Sequence, residues 1–177
     1  MNGEKTFTCV ITTPLGQIRV AAEDGALRGL WFIGQKYFPR GVENWIEKPD
    51  YPVFASLGTW LKEYFAGKNP PLDIPLSPAG TDYQKAVWKL LLEIPYGKTT
   101  TYGAITAQLC AGGRKASAQA VGGAVGHNPI SIIIPCHRVV GADGSLTGYA
   151  GGLEKKRKLL ELEGSIETDS YFHNGSG

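Results

Sequence analysis

The sequence predicts an α/β protein in two parts: a strand-rich first half carrying one helix, and a mainly helical second half with the outline of a helix-turn-helix. Three observations predict it. Residues 7–33 alternate apolar and polar side chains between turn-forming clusters. Residues 69–80, NPPLDIPLSPAG, are rich in proline, which favours an extended connector over helix or central strand. From Thr81 onward the apolar spacing becomes that of short helices.

The elements follow in order. FTCVITTPLG, GQIRVAAEDG and ALRGLWFIG read as three strands of a meander, divided by Pro14-Leu15-Gly16 and Glu23-Asp24-Gly25. PVFASLGTWLKEYFAG sets Phe54, Leu57, Leu61, Tyr64 and Phe65 on one helical face, with Gly67 as its stop. The proline-rich connector at 69–80 closes an N-terminal part, residues 1–80. A C-terminal part, residues 81–164, opens on Thr81 and Gln84 as a capping box, with Val87, Leu90, Leu91 and Ile94 as the apolar face and Pro95-Tyr96-Gly97 as its end. A short helix follows Thr101, then the turn AGGRK and a third helical segment, ASAQAVGGAVG. Two short helices around a glycine turn outline a helix-turn-helix. Ala118, Ala120, Gly122 and Gly123 weaken the last helix, so their smallness needs another reason. Close packing on a neighbouring helix and close approach to a DNA groove both supply one.

Composition narrows the function classes. The chain has 177 residues, three cysteines at wide spacing and three histidines, with no CxxC pair, so no metal site and no cofactor are expected. No apolar run approaches the length of a membrane span, and MNGEKTFTCV lacks the layout of a signal peptide. A soluble, monomeric, cytoplasmic protein with reduced thiols is the expectation. Charge is uneven: residues 1–81 hold eight basic and eight acidic side chains, whereas residues 82–164 hold ten basic and six acidic. A basic half suits a polyanion such as DNA.

The chemistry centres on ISIIIPCHRVV, residues 130–140. Cysteine is usually a buried, inert residue, and Cys9 in a strand and Cys110 on an apolar helix read that way. Cys136 differs, because His137 and Arg138 follow it directly and adjacent positive charge lowers a thiol's pKa. In extended chain neighbouring side chains point to opposite faces, so a Cys136–His137 pair needs a bridging water. The histidine then needs an orienting group on its far side. In GGLEKKRKLLELEG, Leu153, Lys156, Leu160 and Glu163 share one stripe, which makes Lys156 and Glu163 candidates either for that site or for its solvent rim.

Together, IPYGKTTTYG, AVGGAVGHNPISIIIPCHRVV and GYAGGLEKKRKLLELEG resemble, over residues 82–164, the O6-alkylguanine-DNA alkyltransferases, also called methylated-DNA–protein-cysteine methyltransferases. The resemblance implies a ribonuclease-H-like α/β N-terminal domain and a winged helix-turn-helix C-terminal domain. It also implies repair of double-stranded DNA by irreversible, single-turnover transfer of an alkyl group from O6-alkylguanine to Cys136. His137 would be the base acting through water and Glu163 the carboxylate orienting it. Tyr102 would help rotate the nucleotide and donate to the leaving base, and Lys156 would bond backbone near the cysteine. Asn128 would tie the recognition helix to the active-site loop, and Val139, Tyr149 and Ala150 would form the base pocket. Ala118, Gln119, Ala120 and Gly122 on the recognition helix, with Arg114 before it, would meet DNA. Two positions depart from the family pattern: Gln119 replaces the usual arginine that fills the gap left by the flipped nucleotide, and Ser131 replaces a common proline of the alkyl pocket. Residues 165–177, ending SYFHNGSG, read as a flexible tail. Two other functions stay in view. A damage-recognising DNA-binding protein without transfer would replace the acceptor cysteine, and a cysteine hydrolase would want an oxyanion hole.

Overall fold

The computed structural model describes residues 5–167, and the segment 168–177 of the expected tail lies outside them. Strands β1 (Phe7–Thr13), β2 (Gly16–Glu23) and β3 (Ala26–Phe32) form the expected antiparallel meander. Asp24 and Gly25 both take positive φ, 51° and 79°, as a two-residue hairpin turn matched to strand twist requires. A strand too short to be seen in the sequence, β4 (Ile46–Glu47), adds in parallel to β1, giving the order β3-β2-β1-β4.

Helix α1 (Pro52–Phe65) starts on a proline whose missing N–H costs nothing in the first turn. It buries Val53, Phe54, Leu57, Leu61 and Tyr64, so the apolar stripe read from the sequence is its core face. The proline-rich segment then runs extended along the free edge of β3, where Leu27 N–H donates to Pro75 O at 2.8 Å and Ser77 N–H to Leu27 O at 2.8 Å.

The remaining helices are α2 (Asp82–Leu92), α3 (Tyr102–Ala111), α4 (Ala118–Gly126) and α5 (Leu153–Glu163). Side-chain caps start three of them: Thr81 with Gln84 in a reciprocal capping box, Thr101 accepting from Ala104 N–H, and Ser117 accepting from Ala120 N–H. Trp88 of α2 is buried and donates its indole N–H to Ala124 O at 2.8 Å, locking α2 against α4. The wing is short, with β5 (Thr100–Thr101) pairing in parallel with β6 (Val139–Val140) ahead of the loop 141–152.

The edge of β3 also positions the cysteine segment. Leu30 N–H donates to Pro129 O at 2.8 Å, and Ser131 N–H returns to Leu30 O at 3.0 Å. The N-terminal sheet therefore holds the chain leading to Cys136 by main-chain hydrogen bonds, which do not depend on side-chain identity.

Candidate active site

The run Ile130–Ile134 has strand-forming side chains, but it is not extended. Ile132 sits at φ 70°, a left-handed conformation that costs a β-branched residue about 1–3 kcal/mol. Asn128 supplies the compensation: its carboxamide oxygen accepts from Ile130 N–H at 3.0 Å, and its Nδ2 donates to Ile134 O at 2.7 Å. Both ends of one buried amide thus clamp the coil. Residues Cys136–Arg138 continue as a single 3-10 turn. The expectation of extended chain here, with its alternating side chains, is corrected: local turn geometry, imposed by the Asn128 bonds and the β3 edge, overrides β-propensity.

Cys136 lines a cavity of about 430 Å³ together with Tyr102, Gly122, Tyr149 and Ala150 of the predicted set. On its protein side, His137 and Glu163 are buried, with side chains fully shielded from solvent, and His137 Nε2 lies 2.7 Å from Glu163 Oε2. Glu163 takes three further hydrogen bonds: from Arg138 Nε at 2.8 Å, from Arg138 Nη2 at 3.1 Å, and from the Tyr64 hydroxyl at 2.5 Å. Burial pushes this carboxyl's pKa up, but the bonds from His137, Arg138 and Tyr64 outweigh it and hold it at about 2. Glu163 is then ionised and accepts only, so His137 Nε2 carries the proton and donates. His137 Nδ1 is left bare, buried and without a hydrogen-bond partner.

The resting charge states differ from the sequence expectation. Burial raises the Cys136 thiol above its usual value; the Asn128 amide and the Lys156 ammonium pull downward without overcoming it. Burial also lowers His137, Glu163 opposing, with Arg138 and Lys156 reinforcing the burial. The expectation that His137 and Arg138 would lower the Cys136 pKa is therefore corrected. Arg138 spends its charge on Glu163, and the imidazole beside the thiol is neutral. The site at rest holds a thiol and a neutral base.

Lys156 is wholly buried, and its ammonium donates to three carbonyls, Val139 at 2.6 Å, Thr147 at 2.7 Å and Gly148 at 3.1 Å. Burial lowers its pKa to about 8. It staples β6 to the loop that presents Tyr149 and Ala150. Tyr102 donates its hydroxyl to Thr147 O at 3.1 Å, and burial raises its pKa. Ser131 is buried, and its hydroxyl exerts a lowering effect on the strongly raised Tyr149 phenol, whose oxygen makes no well-formed hydrogen bond.

Not every predicted residue reaches the cavity. Arg114, Ala118, Gln119 and Ala120 are exposed on the approach to α4 and its first turn, outside the lining. Leu153 is about half exposed and lines the cavity mouth, whereas Lys156, Leu160 and Glu163 of the same stripe turn inward. Cys110, read as a core thiol, is exposed, because its helix is apolar on more than the face it buries; Cys9 is buried. The sequence reading missed Tyr64 and Arg138 as donors to Glu163. It also missed Lys36 and Tyr37, which line the cavity from the loop after β3. Among the described residues no cluster of His, Cys, Asp or Glu could hold a metal ion, and no helix is long and apolar enough to cross a membrane.

Two family models match the chain. Residues 7–78 match the ribonuclease-like domain of 6-O-methylguanine DNA methyltransferase, and residues 82–165 match its DNA-binding domain. The chain belongs to the 6-O-methylguanine DNA methyltransferase family. Within the family, it is 48% identical over 155 residues to the methylated-DNA–protein-cysteine methyltransferase of Mycobacterium tuberculosis, covering 88% of this chain and 90% of the relative. The protein of the same name from Methanosarcina acetivorans is 44% identical over 159 residues, covering 90% and 99%. A crystal structure of the Mycobacterium tuberculosis protein, OGT, in complex with DNA superposes with a TM-score of 0.79 at 45% identity, covering 91% of this chain and 93% of that one. The family fold, a ribonuclease-like domain followed by a DNA-binding domain, is the architecture described above.

Proposed function

We propose that this protein repairs alkylated DNA by moving the alkyl group from O6-alkylguanine to Cys136 in a single, irreversible event. The observation that carries the reading is the orphaned His137 Nδ1: a bare, buried acceptor on the residue next to a cavity-facing thiol, oriented by an ionised carboxylate on its far side. A base so placed removes a proton from Cys136 as the reaction needs it, through one water, rather than keeping a thiolate in store.

The chemistry balances within these groups. The Cys136 sulfur forms a bond to the saturated carbon on O6 while the carbon–oxygen bond breaks, its electron pair passing to guanine. The thiol proton goes to His137 Nδ1, and the imidazolium formed is stabilised by Glu163. Tyr102, whose raised pKa keeps its hydroxyl protonated, turns its O–H from Thr147 O to the leaving base. Lys156 adds positive charge that favours the developing thiolate. The thioether has no neighbouring group to hydrolyse it, so each molecule acts once.

The target atom is closed off inside a duplex, so the nucleotide must be flipped out at a cost of a few kcal/mol. The helix-turn-helix of α3 and α4 would enter the DNA groove. Ala118, Gln119, Ala120 and Arg114 lie on its exposed side, and Gly122, with no side chain, lies where the flipped nucleotide passes Tyr102. Tyr149 and Ala150 receive the base, whereas Val139, expected beside them, is wholly buried outside the cavity lining with its carbonyl held by Lys156, and Asn128 keeps the cysteine coil registered to α4. The partner is double-stranded DNA carrying the lesion. One chain carries every group named, so the reading includes a monomer, in a cytoplasmic setting, divided into residues 1–80 and 81–164.

Intact mass after mixing with duplex DNA containing one O6-methylguanine tests this. The expected result is a gain of one methyl group, about 14 Da, on Cys136 in a stoichiometric burst. Repeated turnover, or methyl on Cys9 or Cys110, overturns it.

A further inference from the structure

The loop after β3 brings an N-terminal residue to the reactive cavity in a conformation that needs explaining. Tyr37 is 48% exposed and adopts φ 62°, a left-handed backbone that a bulky side chain takes only at a cost. Its ring lies parallel to that of His127, with centroids 3.9 Å apart and planes at 25°, and its Cε2 lies 3.8 Å from where a Cβ on Gly126 would stand. His127 is the C-terminal cap of α4. The stacked pair thus bridges the two halves of the chain, and Tyr37 and Gly126 line the cavity that Cys136 also lines.

The loop is held on both sides of this ring. Lys36 N–H donates to Ala150 O at 3.0 Å, fastening the loop to the wall opposite α4. Gln35 bonds back to β3, its Oε1 accepting from Phe32 N–H at 2.9 Å. Phe32 meets the ring of Tyr149 edge-on at 6.4 Å and lies so close to Gly151 that an added Cβ there would fall 2.8 Å from its ring. The frame around Tyr37 is therefore fixed by main-chain bonds and packed rings, and the half-exposed Tyr37 lines the same cavity as Cys136.

We propose that Tyr37 is a specificity-determining residue of alkyl transfer: stacked on His127, its ring narrows the mouth of the Cys136 cavity and limits the bulk of the O6 substituent that can reach the thiol. The inference rests on the alkyl-transfer reading above. A base entering past α4 carries its substituent toward Cys136, and a rigid aromatic rim charges a steric penalty that grows with the substituent while leaving a methyl group nearly unaffected. Pockets discriminate by size in this way through contacts remote from the reacting bond.

The test compares transfer rates to Cys136 from two otherwise identical duplexes, one with O6-methylguanine and one with O6-benzylguanine. Tyr37→Asn removes the ring while keeping a residue that tolerates positive φ, and His127→Ala removes its stacking partner. Tyr37→Trp enlarges the rim. The benzyl-to-methyl rate ratio is expected to rise by about fivefold or more in Tyr37→Asn, to rise less in His127→Ala, and to fall in Tyr37→Trp. A ratio unchanged across the variants that fold, as judged by thermal melting, overturns the proposal, as does an equal loss of both rates. Failure of the wild-type protein to transfer methyl at all is a different outcome, and overturns the underlying reading instead.

Discussion

The Tyr64 hydroxyl donates to Glu163 Oε2 across 99 residues of sequence, joining helix α1 of the N-terminal half to the carboxylate behind Cys136. The same oxygen lies 2.7 Å from His137 Nε2, so the N-terminal half holds the acid that orients the base. Tyr64→Phe removes this donor and leaves the ring packing in place. Stability in urea should fall by on the order of 2 kcal/mol, the usual worth of a hydrogen bond to a charged group. The Glu163 pKa should rise with one fewer donor. Unchanged stability together with an unchanged acid midpoint would show that the bond carries no weight.

The depressed pKa of Glu163 sets a pH window for stability. Its folded value, about 2, lies below its ordinary 4.5, so the group binds fewer protons folded than unfolded between those values. Its contribution is complete above pH 4.5 and is lost as pH falls through about 2. The full effect is on the order of 3 kcal/mol. Glu163→Gln cannot titrate, and denaturation midpoints followed from pH 5 down to 2 should be flatter than those of the wild type. An identical slope in both proteins would place the acid sensitivity elsewhere.

Thiol reactivity should run opposite to function. Cys110 is exposed, whereas Cys136 is buried with its pKa raised above the usual 9.0. Iodoacetamide at neutral pH, without DNA, should label Cys110 well before Cys136, as read by peptide mass spectrometry. Labelling of Cys136 should accelerate only at a pH above that of an ordinary thiol, because burial raises its pKa. Preferential labelling of Cys136 at pH 7 would mean that it rests as a thiolate, and the account of His137 as a base recruited during transfer would be wrong.

Gln119 stands exposed in the first turn of α4, where an arginine would meet the DNA stack with a positive charge. Gln119→Arg should tighten DNA binding and speed transfer several-fold, since one added contact is worth on the order of 1 kcal/mol. The gain should shrink as salt rises. Titration with lesion duplex at low and high salt is the measurement. If neither affinity nor rate changes at either salt concentration, Gln119 already fills the wedge role or Arg114 or Lys115 has taken it.

What the sequence determined by itself was everything encoded within a few residues. The Thr81–Gln84 capping box, the meander with its Asp24-Gly25 turn, the apolar stripe of α1 and the shared stripe of Lys156 and Glu163 all follow from local pattern, because helix and strand periods fix which side chains share a face, whereas only the fold turns that stripe inward. The motif around Cys136 was legible from its neighbours in the chain and from the family resemblance of the segments around it. The tertiary structure decided what depends on distant partners. Tyr64 belongs to a core stripe in the sequence, and only folding points its hydroxyl at Glu163. Arg138 reads as an activator of its neighbour Cys136, yet the folded chain gives its charge to Glu163 and leaves the thiol protonated. Tyr37 lies in a loop with no periodicity to interpret, and reaches the cavity because Lys36 bonds Ala150 across the fold. Ile132 has the side chain of a strand residue and is held in a turn by Asn128 and the edge of β3. Desolvation accounts for the rest: a pKa depends on what surrounds a group in space, and neither the burial of Cys136 and His137 nor the three residues converging on Glu163 can be read from adjacency along the chain.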